Sequence, residues 1–415
     1  MERLYDKLKA YSESDFYAFH MPGHKRNKAL LGIELPYDLD ITEIDGFDDL
    51  HHADGILKEE QERAARVFGA EESHFLVNGS TAGILSAVMG CTHRGDKILV
   101  ARHCHKSIYH AIYMNGLVPR YVYPEFDISM HMNGEISKED VAKALAAEPD
   151  IKAVVIVSPN YDGVVSDVKG IAEVAHSYRI PLIVDEAHGP HFGFHPAFPG
   201  RANDLGADVV INSLHKTLPS LTQTAILHIN GKLANRRRIK KYLDMLQSSS
   251  PSYIFMASLD ACVDFLDGKC EEAFELYVER LQKFREELKP LQHLQILRTE
   301  HYDISKVVIS TANANITSPE LAERLRKEYH LEMEMTGGTY VLAMTTVADT
   351  QEGLDRLKAA LLEIDGQLEA KTAVSGSIEI SGELPRLEQY FTPQEAADRE
   401  EDGEAEEIPW KESEG

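Results

Sequence analysis

The sequence has few cysteines for its length, and those few stand far apart. Four cysteines occur in 415 residues, and no C-x-x-C pair is present. Their spacing argues against a zinc ribbon, and their scarcity argues against the disulfide framework of a small secreted domain. The sequence therefore predicts a protein of a reducing compartment.

Long apolar segments are also missing. No run approaches the ~20 apolar residues that a membrane-spanning helix needs. The N-terminal segment MERLYDKLK lacks the apolar core of a secretory signal peptide. Together with the scarce cysteines, these absences predict a cytoplasmic protein without a membrane partner.

Basic residues are outnumbered by acidic ones. The 43 Lys and Arg residues face 68 Asp and Glu residues, which gives a net charge of −25. Such a surface disfavours nucleic acid and anionic lipid, and attracts cationic small molecules. The composition, 43% hydrophobic and 27% charged, is typical of a soluble globular protein. We therefore predict a small-molecule partner and no nucleic-acid partner.

Short apolar runs rich in Val and Ile alternate with helical patterns through the first part of the chain. The predicted strands lie at 75–77, 97–102, 119–124, 153–159, 181–187, 207–213 and 223–229. This alternation predicts an α/β fold with a mostly parallel sheet. Polar residues gather near the strand ends at 78–81, 103–107, 158–163, 185–188 and 213–216. Because such sheets bind ligands beyond the carboxyl ends of their strands, these clusters predict one shared site.

The length predicts more than one domain. We expect an N-terminal arm and helix at 1–70, a large α/β domain at 71–290, and a smaller C-terminal α+β domain at 291–370. Residues 371–415 are polar and acidic, which predicts a tail that is poorly ordered at least in part.

The segment 181–216 carries the strongest chemical pattern. One predicted strand delivers Asp185, and the next delivers Ser213 and Lys216. A carboxylate at a ring nitrogen and an amine on an aldehyde carbon are what pyridoxal 5′-phosphate (PLP) needs. A phosphate site is predicted at Ser80 and Thr81, which follow a strand and a glycine turn at a helix start. Two other roles stay open: Ser80 as a helix cap, and Asp185 in a buried salt bridge or as a helix cap.

Histidines surround this segment. His188 lies three residues after Asp185, where it can bond the phenolic oxygen of the ring, and His105 follows another strand, where it can stack on the ring face. A metal site made of Asp185, His188 and His191 is an alternative, but it leaves the lysine and the hydroxyl groups without a role. The residues therefore favour PLP and no metal.

Several motifs resemble, in chain order, those of the bacterial ornithine/lysine/arginine decarboxylase family. They are FHMPGHK, DITEIDGFDDL, VNGSTAG, CHKS, VDEAHGPH and SLHKT. The resemblance covers residues 17–346 and implies the PLP fold type I of aspartate aminotransferase. It also implies decarboxylation of arginine, lysine or ornithine to the corresponding amine, a step of polyamine biosynthesis.

The resemblance assigns a role to each candidate residue. It implies a Schiff base on Lys216, a ring-nitrogen partner in Asp185, ring stacking by His105 and an O3′ contact from His188. The implied phosphate contacts are Ser80, Thr81, Ser213 and His215, and Lys216 or His215 is the candidate proton donor. Members form homodimers or larger homo-oligomers with shared active sites, so we expect the N-terminal arm and residues 248–253 to reach the neighbouring subunit.

Two alternatives remain. Family members usually continue into a Pro-Tyr-Pro-Pro-Gly-Ile-Pro-like motif, which this sequence does not contain, so a truncated or divergent member is expected. A catalytically impaired PLP-binding protein is therefore one alternative. Another fold type I reaction, transamination or aldol cleavage, is the other. An arginine for the substrate α-carboxylate late in the chain would favour it, and Arg298, Arg324 and Arg326 are the candidates.

Overall fold

The computed structural model describes residues 2–127, 132–370 and 390–403. The strands are β1 Glu72–Leu76, β2 Lys97–Ala101, β3 Val118–Val122, β4 Phe126–Asp127, β5 Met132–Asn133, β6 Val154–Val157, β7 Leu182–Asp185, β8 Val209–Asn212, β9 Ala225–Ile229, β10 Gln295–Ile296, β11 Lys306–Ser310, β12 Met335–Thr336 and β13 Tyr340–Met344. The helices are α1 Leu4–Ser12, α2 Ile56–Val67, α3 Gly79–Cys91, α4 Lys106–Asn115, α5 Lys138–Ala147, α6 Val168–Ser177, α7 Leu214–Thr217, α8 Arg236–Leu246, α9 Tyr253–Leu266, α10 Glu271–Glu287, α11 Ser318–Tyr329, α12 Gln351–Asp365 and α13 Pro393–Glu401.

A seven-stranded sheet organises the larger part of the molecule, in the order β1-β9-β8-β7-β6-β2-β3. Its neighbours are parallel from β8 to β3, whereas β9 is antiparallel to both β8 and β1. Seven strands were predicted from the apolar runs, and each run corresponds to one strand of this sheet. The predicted α/β class with a mostly parallel sheet is confirmed.

Helices cover both faces of this sheet. Ile84 of α3, Ile112 of α4 and Ile239 of α8 pack on one face, while α5 and α6 pack on the other. The central strands β6, β7 and β8 are buried along their whole length, which explains why their sequences are continuously apolar instead of alternating. A Cβ at Gly90 of α3 would lie 2.9 Å from the backbone of Ile239, so glycine permits the close approach of α3 to α8.

A second, four-stranded sheet in the order β10-β11-β13-β12 is antiparallel throughout. Val307, Ile309 and Val341 of this sheet pack against leucines of α11 and α12 in a cluster of their own. The strand at 306–310, the strand near 340–344 and the two helices after them were predicted. The short β10 and β12 and the β4–β5 hairpin were not.

The termini differ in how they are held. Leu4 and Leu8 of α1 are fully buried and pack in one cluster with α9 residues. The predicted tail lies largely outside the described residues. Its described part, 390–403, contains α13, which begins with a capping box between Thr392 and Glu395. Within the described ranges, no helix has the length and apolar character needed to cross a membrane.

Candidate active site

Two neighbouring strands bring the predicted pair of residues to one edge of the large sheet. Asp185 is the last residue of β7 and is aligned with Ile211 of the parallel β8. The chain leaves β8 through Ser213 and enters the short helix α7, which carries Lys216. Because β7 and β8 run in the same direction, Asp185 and Lys216 lie beyond the same edge, as predicted.

Lys216 contacts a buried histidine. Its Nζ lies 3.0 Å from Nε2 of His188, a side chain that is buried in the site. Burial lowers the pKa of Lys216, while the nearby Asp185 and Glu334 oppose this effect. Burial also lowers the pKa of His188 well below its ordinary value, and Lys306 and Lys216 add to the effect. The site therefore favours a neutral imidazole and an amine that loses its proton more readily than a free lysine does.

Lys306 is the site residue that the sequence analysis missed. It begins β11 of the small sheet and is fully buried. Its Nζ lies 3.4 Å from Nδ1 of His188, on the opposite side of the ring from Lys216. Burial lowers the pKa of Lys306 to about 8. One sequence signal existed, since a lysine directly before the apolar run Val307–Ile309 is unusual for a strand buried on both faces.

Asp185 is a buried carboxyl group at the end of β7. Its Oδ1 accepts the backbone N–H of Ala187 at 3.1 Å, and no ion pair to it forms within the described part of the chain. Burial raises the pKa of Asp185, and Lys216 opposes this effect. The alternative role in a buried salt bridge is therefore not supported. A cationic group of a bound molecule would fit beside this carboxyl group.

The predicted phosphate site consists of an open turn at Gly79 and the buried hydroxyl group of Ser213. Gly79 has a positive φ of 72°, and no atom lies within 4 Å of the place where its Cβ would be. Ser80 is partly buried and Thr81 is exposed on the first turn of α3. Among the described residues, the Oγ of Ser213 is buried without a hydrogen-bond partner. The helix cap at α3 is Asn78, so the alternative role of Ser80 as the cap is wrong.

The other predicted histidines are oriented by local hydrogen bonds. Nδ1 of His105 accepts the backbone N–H of Ser107 at 3.2 Å, which leaves Nε2 to carry the proton. Burial and the charge of Lys216 lower the pKa of His105. Nδ1 of His215 donates to the carbonyl of Thr224 at 2.8 Å, and burial lowers its pKa. Both imidazoles are therefore held in one tautomer beside Lys216.

The residues of the alternative metal site use their nitrogen and oxygen atoms elsewhere. His191 contacts Oγ1 of Thr217 at 2.9 Å and Oδ1 of Asp303 at 3.1 Å. His188 lies between two lysines, as described above. Across the described ranges, no group of three His, Cys, Asp or Glu side chains is arranged to hold a metal ion.

The candidate arginines do not point to an α-carboxylate site. Arg298 and Arg326 are exposed, and Arg324 pairs with Glu328 on the surface at 3.0 Å. Tyr161 lies in the predicted cluster 158–163, although the sequence analysis assigned it no role: its ring centroid lies 4.6 Å from that of His188 and its hydroxyl bonds Glu334.

This fold and strand-edge site define a fold type I α/β enzyme. The lysine decarboxylase LdcF of Francisella novicida has the same fold, with a TM-score of 0.76 at 20% identity over 88% of this chain and 60% of that one. An SPT structure determined with PLP matches with a TM-score of 0.58 at 16% identity, over 75% of this chain and 76% of that one. The chain therefore spans about three fifths of the length of the solved lysine decarboxylase.

The chain belongs to the Orn/Lys/Arg decarboxylase family, because the model of that family's major domain matches residues 3–370. It is 34% identical to the arginine decarboxylase of Bacillus subtilis (strain 168) over 409 residues, which covers 95% of this chain and 83% of that protein. The family predicted from the motifs is confirmed.

Proposed function

We propose that this protein is a PLP-dependent enzyme that decarboxylates a basic amino acid, namely arginine, lysine or ornithine, to the corresponding amine. The observation that carries the proposal is that Asp185 and Lys216 lie at the same edge of the large sheet. Asp185 is buried and forms no ion pair among the described residues, and burial makes Lys216 lose its proton more readily. The named relatives support the substrate class, since one is an arginine decarboxylase and another a lysine decarboxylase.

The residues present fit the cofactor. Asp185 needs a buried cation, which a protonated ring nitrogen supplies, and the orphaned Oγ of Ser213 needs a partner, which a phosphate oxygen supplies. We propose that Ser80, Thr81, Ser213 and His215 hold the phosphate, that His105 covers the ring, that His188 contacts the phenolic oxygen, and that Lys216 is the attachment point. When bound, PLP acts as the electron sink for the reaction.

The protein's own side chains then bind and orient the substrate and transfer protons. Lys216 accepts a proton readily only as the neutral amine, the form that its burial favours. The C–C bond to the carboxylate breaks to release CO2, and one proton replaces it on Cα to give the amine. Lys216 or His215 delivers that proton. The net charge of −25 favours the approach of a cationic substrate.

We further propose a homo-oligomer in which the N-terminal arm contacts the neighbouring subunit. Apolar side chains are concentrated between residues 16 and 35, where Tyr17 is 71%, Phe19 90% and Leu30 74% exposed. Such exposure is unusual on a monomer and typical of an interface. In the same chain, the backbone N–H of Ser248 bonds Oδ1 of Asn78 at 3.1 Å, so segment 248–253 begins beside the first turn of α3.

Phe19→Ser combined with Leu30→Ser tests the oligomer. We expect the double variant to have a smaller mass by light scattering than the wild type, whereas Leu276→Ser, an exposed leucine of α10, should leave the mass unchanged. A wild-type monomer contradicts the proposal.

The same proposal includes a cytoplasmic location, a place in polyamine biosynthesis, and a division into domains at 1–70, 71–290, 291–370 and 371–415. The apolar cluster of the small sheet also includes Phe284 and Leu288, which supports a boundary near the end of α10.

The decisive experiment incubates the purified protein and PLP with arginine, lysine and ornithine separately. We expect CO2 and the matching amine in equal amounts from one of them. Formation of a 2-oxo acid without CO2 would instead identify an aminotransferase. A visible absorbance band of lysine-bound PLP without CO2 release from any of the three would identify the catalytically impaired alternative. Lys216→Ala should abolish the band, and its persistence contradicts the assignment of Lys216.

A further inference from the structure

Glu334 is a carboxylate beside the site that the proposed function does not use. It directly precedes β12 of the small sheet and is exposed. One of its oxygens accepts the hydroxyl of Tyr161. Within the described part of the chain, no lysine, arginine or histidine forms an ion pair with it. Glu334 therefore keeps a negative charge that a cation from outside the chain can neutralise.

A short series of contacts joins Glu334 to Lys216. The ring centroid of Tyr161 lies 4.6 Å from that of His188, and Nε2 of His188 lies 3.0 Å from Nζ of Lys216. Burial lowers the pKa of Lys216, and the charges of Asp185 and Glu334 oppose this effect. Lys216 and Glu334 form no ion pair, so they lie in the same site but too far apart to neutralise each other directly.

The backbone on both sides of the Tyr161–Glu334 contact is anchored. Next to Tyr161, the carboxylate of Asp162 accepts the hydroxyl of Tyr340, a residue of β13, at 2.5 Å. The backbone N–H of Glu334 donates to the carbonyl of Leu342, also in β13, at 3.0 Å. Both side chains therefore start from backbone that is tied to the small sheet, and the carboxylate needs little further ordering to bind a ligand.

The exposure of the side chains shows on which side the site is open. Asp185 and His188 are buried, whereas Lys216 is only partly buried. Tyr161 is 41% exposed, and Glu334 is exposed as well. A molecule that reacts at Lys216 therefore has room to extend past Tyr161 towards Glu334. A basic amino acid carries its side-chain charge several bonds from the reacting α-carbon, which suits this direction.

We propose that Glu334 binds the cationic end of the substrate side chain, an ammonium or guanidinium group, and that the hydroxyl of Tyr161 positions its carboxylate. Two other carboxylates lie nearby, but both are buried: Asp185 is assigned to the ring nitrogen, and Asp162 accepts the hydroxyl of Tyr340. A hydrogen bond between two charged groups is stronger than one between neutral groups, so this contact favours basic amino acids over apolar ones of similar length. The proposal rests on the proposed function, since it names the group that recognises that substrate.

The test compares amines with and without a second cation in the PLP-loaded protein. The probes are the three candidate products, agmatine, cadaverine and putrescine, and pentylamine, which ends in a methyl group. Isothermal titration calorimetry measures each dissociation constant. We expect the wild type to bind the tightest of the three products roughly tenfold more tightly than pentylamine. Glu334→Gln should lower this ratio to about one and leave the affinity for pentylamine unchanged.

Control variants separate a direct contact from a general effect of charge. Glu332→Gln removes an exposed carboxylate close by in the sequence and should leave the ratio near its wild-type value. Tyr161→Phe keeps the carboxylate of Glu334 but removes the donor that positions it, so the ratio should fall only in part. Thermal unfolding checks that each variant is folded, and Glu334→Ala carries the same expectation if Glu334→Gln folds poorly.

Three results overturn the proposal. The first is an unchanged ratio in folded Glu334→Gln. The second is an equal weakening of the product amine and of pentylamine, which indicates a structural role for Glu334. The third is a wild-type protein that does not distinguish any product amine from pentylamine.

Binding does not require decarboxylation, so the two proposals can fail separately. A ratio that depends on Glu334, without CO2 release from any of the three amino acids, supports the role of Glu334 and contradicts the proposed function. CO2 release together with a ratio that does not depend on Glu334 does the reverse.

Discussion

The structure buries two groups of charged side chains, and they are arranged in opposite ways. Away from the site, Arg63 of α2 bonds Glu60 and Asp260, and it reaches Asp264 at 3.1 Å. Asp260 also accepts the backbone N–H of Leu4 at 2.9 Å, so this group joins α1, α2 and α9. Opposite charges meet in it.

At the strand edge, two lysines contact the same histidine. Lys216 and Lys306 lie on either side of His188, and Asp185 has no ion pair within the described part of the chain. Because its charges are paired, the Arg63 group stabilises the fold. The strand-edge group destabilises the fold and is typical of a functional site. Substitutions in the Arg63 group and at the strand edge are therefore expected to have opposite effects on stability and activity.

The largest expected effect is the loss of activity in Lys216→Met. Removing the attachment point should lower amine formation by roughly a thousandfold or more, while the melting temperature should stay equal or rise because a partly buried amine without an ion pair among the described residues is gone. Amine release and thermal unfolding measure the two effects. A variant that keeps a tenth of the wild-type activity contradicts the prediction.

Arg63→Met should show the opposite profile. It leaves Glu60 and Asp260 buried without their cation, which is expected to lower the free energy of unfolding by about 3–5 kcal/mol. Activity per folded molecule should not change. Urea unfolding measures the loss, and Arg3→Met, which removes an exposed pair with Asp6, should show a much smaller one. Equal losses in the free energy of unfolding of Arg63→Met and Arg3→Met would contradict the stabilising role of the buried Arg63 group.

Glu186 is a buried carboxyl group next to the site, and we expect it to contribute to the stability of the fold. Its oxygens accept from Ala202 N–H at 2.8 Å and from the Asn212 amide at 3.0 Å. Burial raises its pKa from 4.5 to about 8, so the folded state holds a proton that the unfolded state releases. Stability from this group is present below pH ~4.5 and is lost as the pH rises towards ~8, on the order of 1 kcal/mol per pH unit.

Glu186→Gln should flatten that decline. The measurement is the free energy of urea unfolding of both proteins between pH 5 and pH 8. An unaltered slope in the variant indicates that other groups cause the pH dependence.

The smallest effect is expected for Ser213→Ala. Loss of one hydroxyl contact should weaken PLP binding by roughly tenfold, or ~1.4 kcal/mol, and should not lower stability because the Oγ has no partner to lose. PLP titration followed by absorbance measures the affinity. Ser86→Ala is the matched control, since Ser86 is a buried serine of α3 whose Oγ also lacks a partner among the described residues. Equal affinity in Ser213→Ala and the wild type contradicts a phosphate contact.

The site residues on the large sheet were readable from the sequence because they follow apolar strands directly. Asp185 and Lys216 stand at or just beyond the ends of runs that only a buried parallel sheet explains. Lys306 could not be placed in the same way. Its meeting with His188 depends on how the small sheet docks on the large one, and no local pattern encodes docking.

Short elements were missed for a different reason. Strands of two residues, such as β4 and β5, are too short to show a periodicity. The helix α13 did carry a readable signal, because Thr392, Pro393 and Glu395 form the start of a capped helix. The acidic composition around α13 led instead to the prediction of a poorly ordered tail.

The contact between His188 and Lys306 also has a consequence for the order of events in the cell. His188 lies in the segment that follows β7 of the large sheet, whereas Lys306 begins β11 of the small sheet, which is translated later. The surroundings of His188 are therefore complete only after the small sheet has docked on the large one. An incompletely folded chain would therefore present Lys216 in a site that still lacks its small-sheet residues.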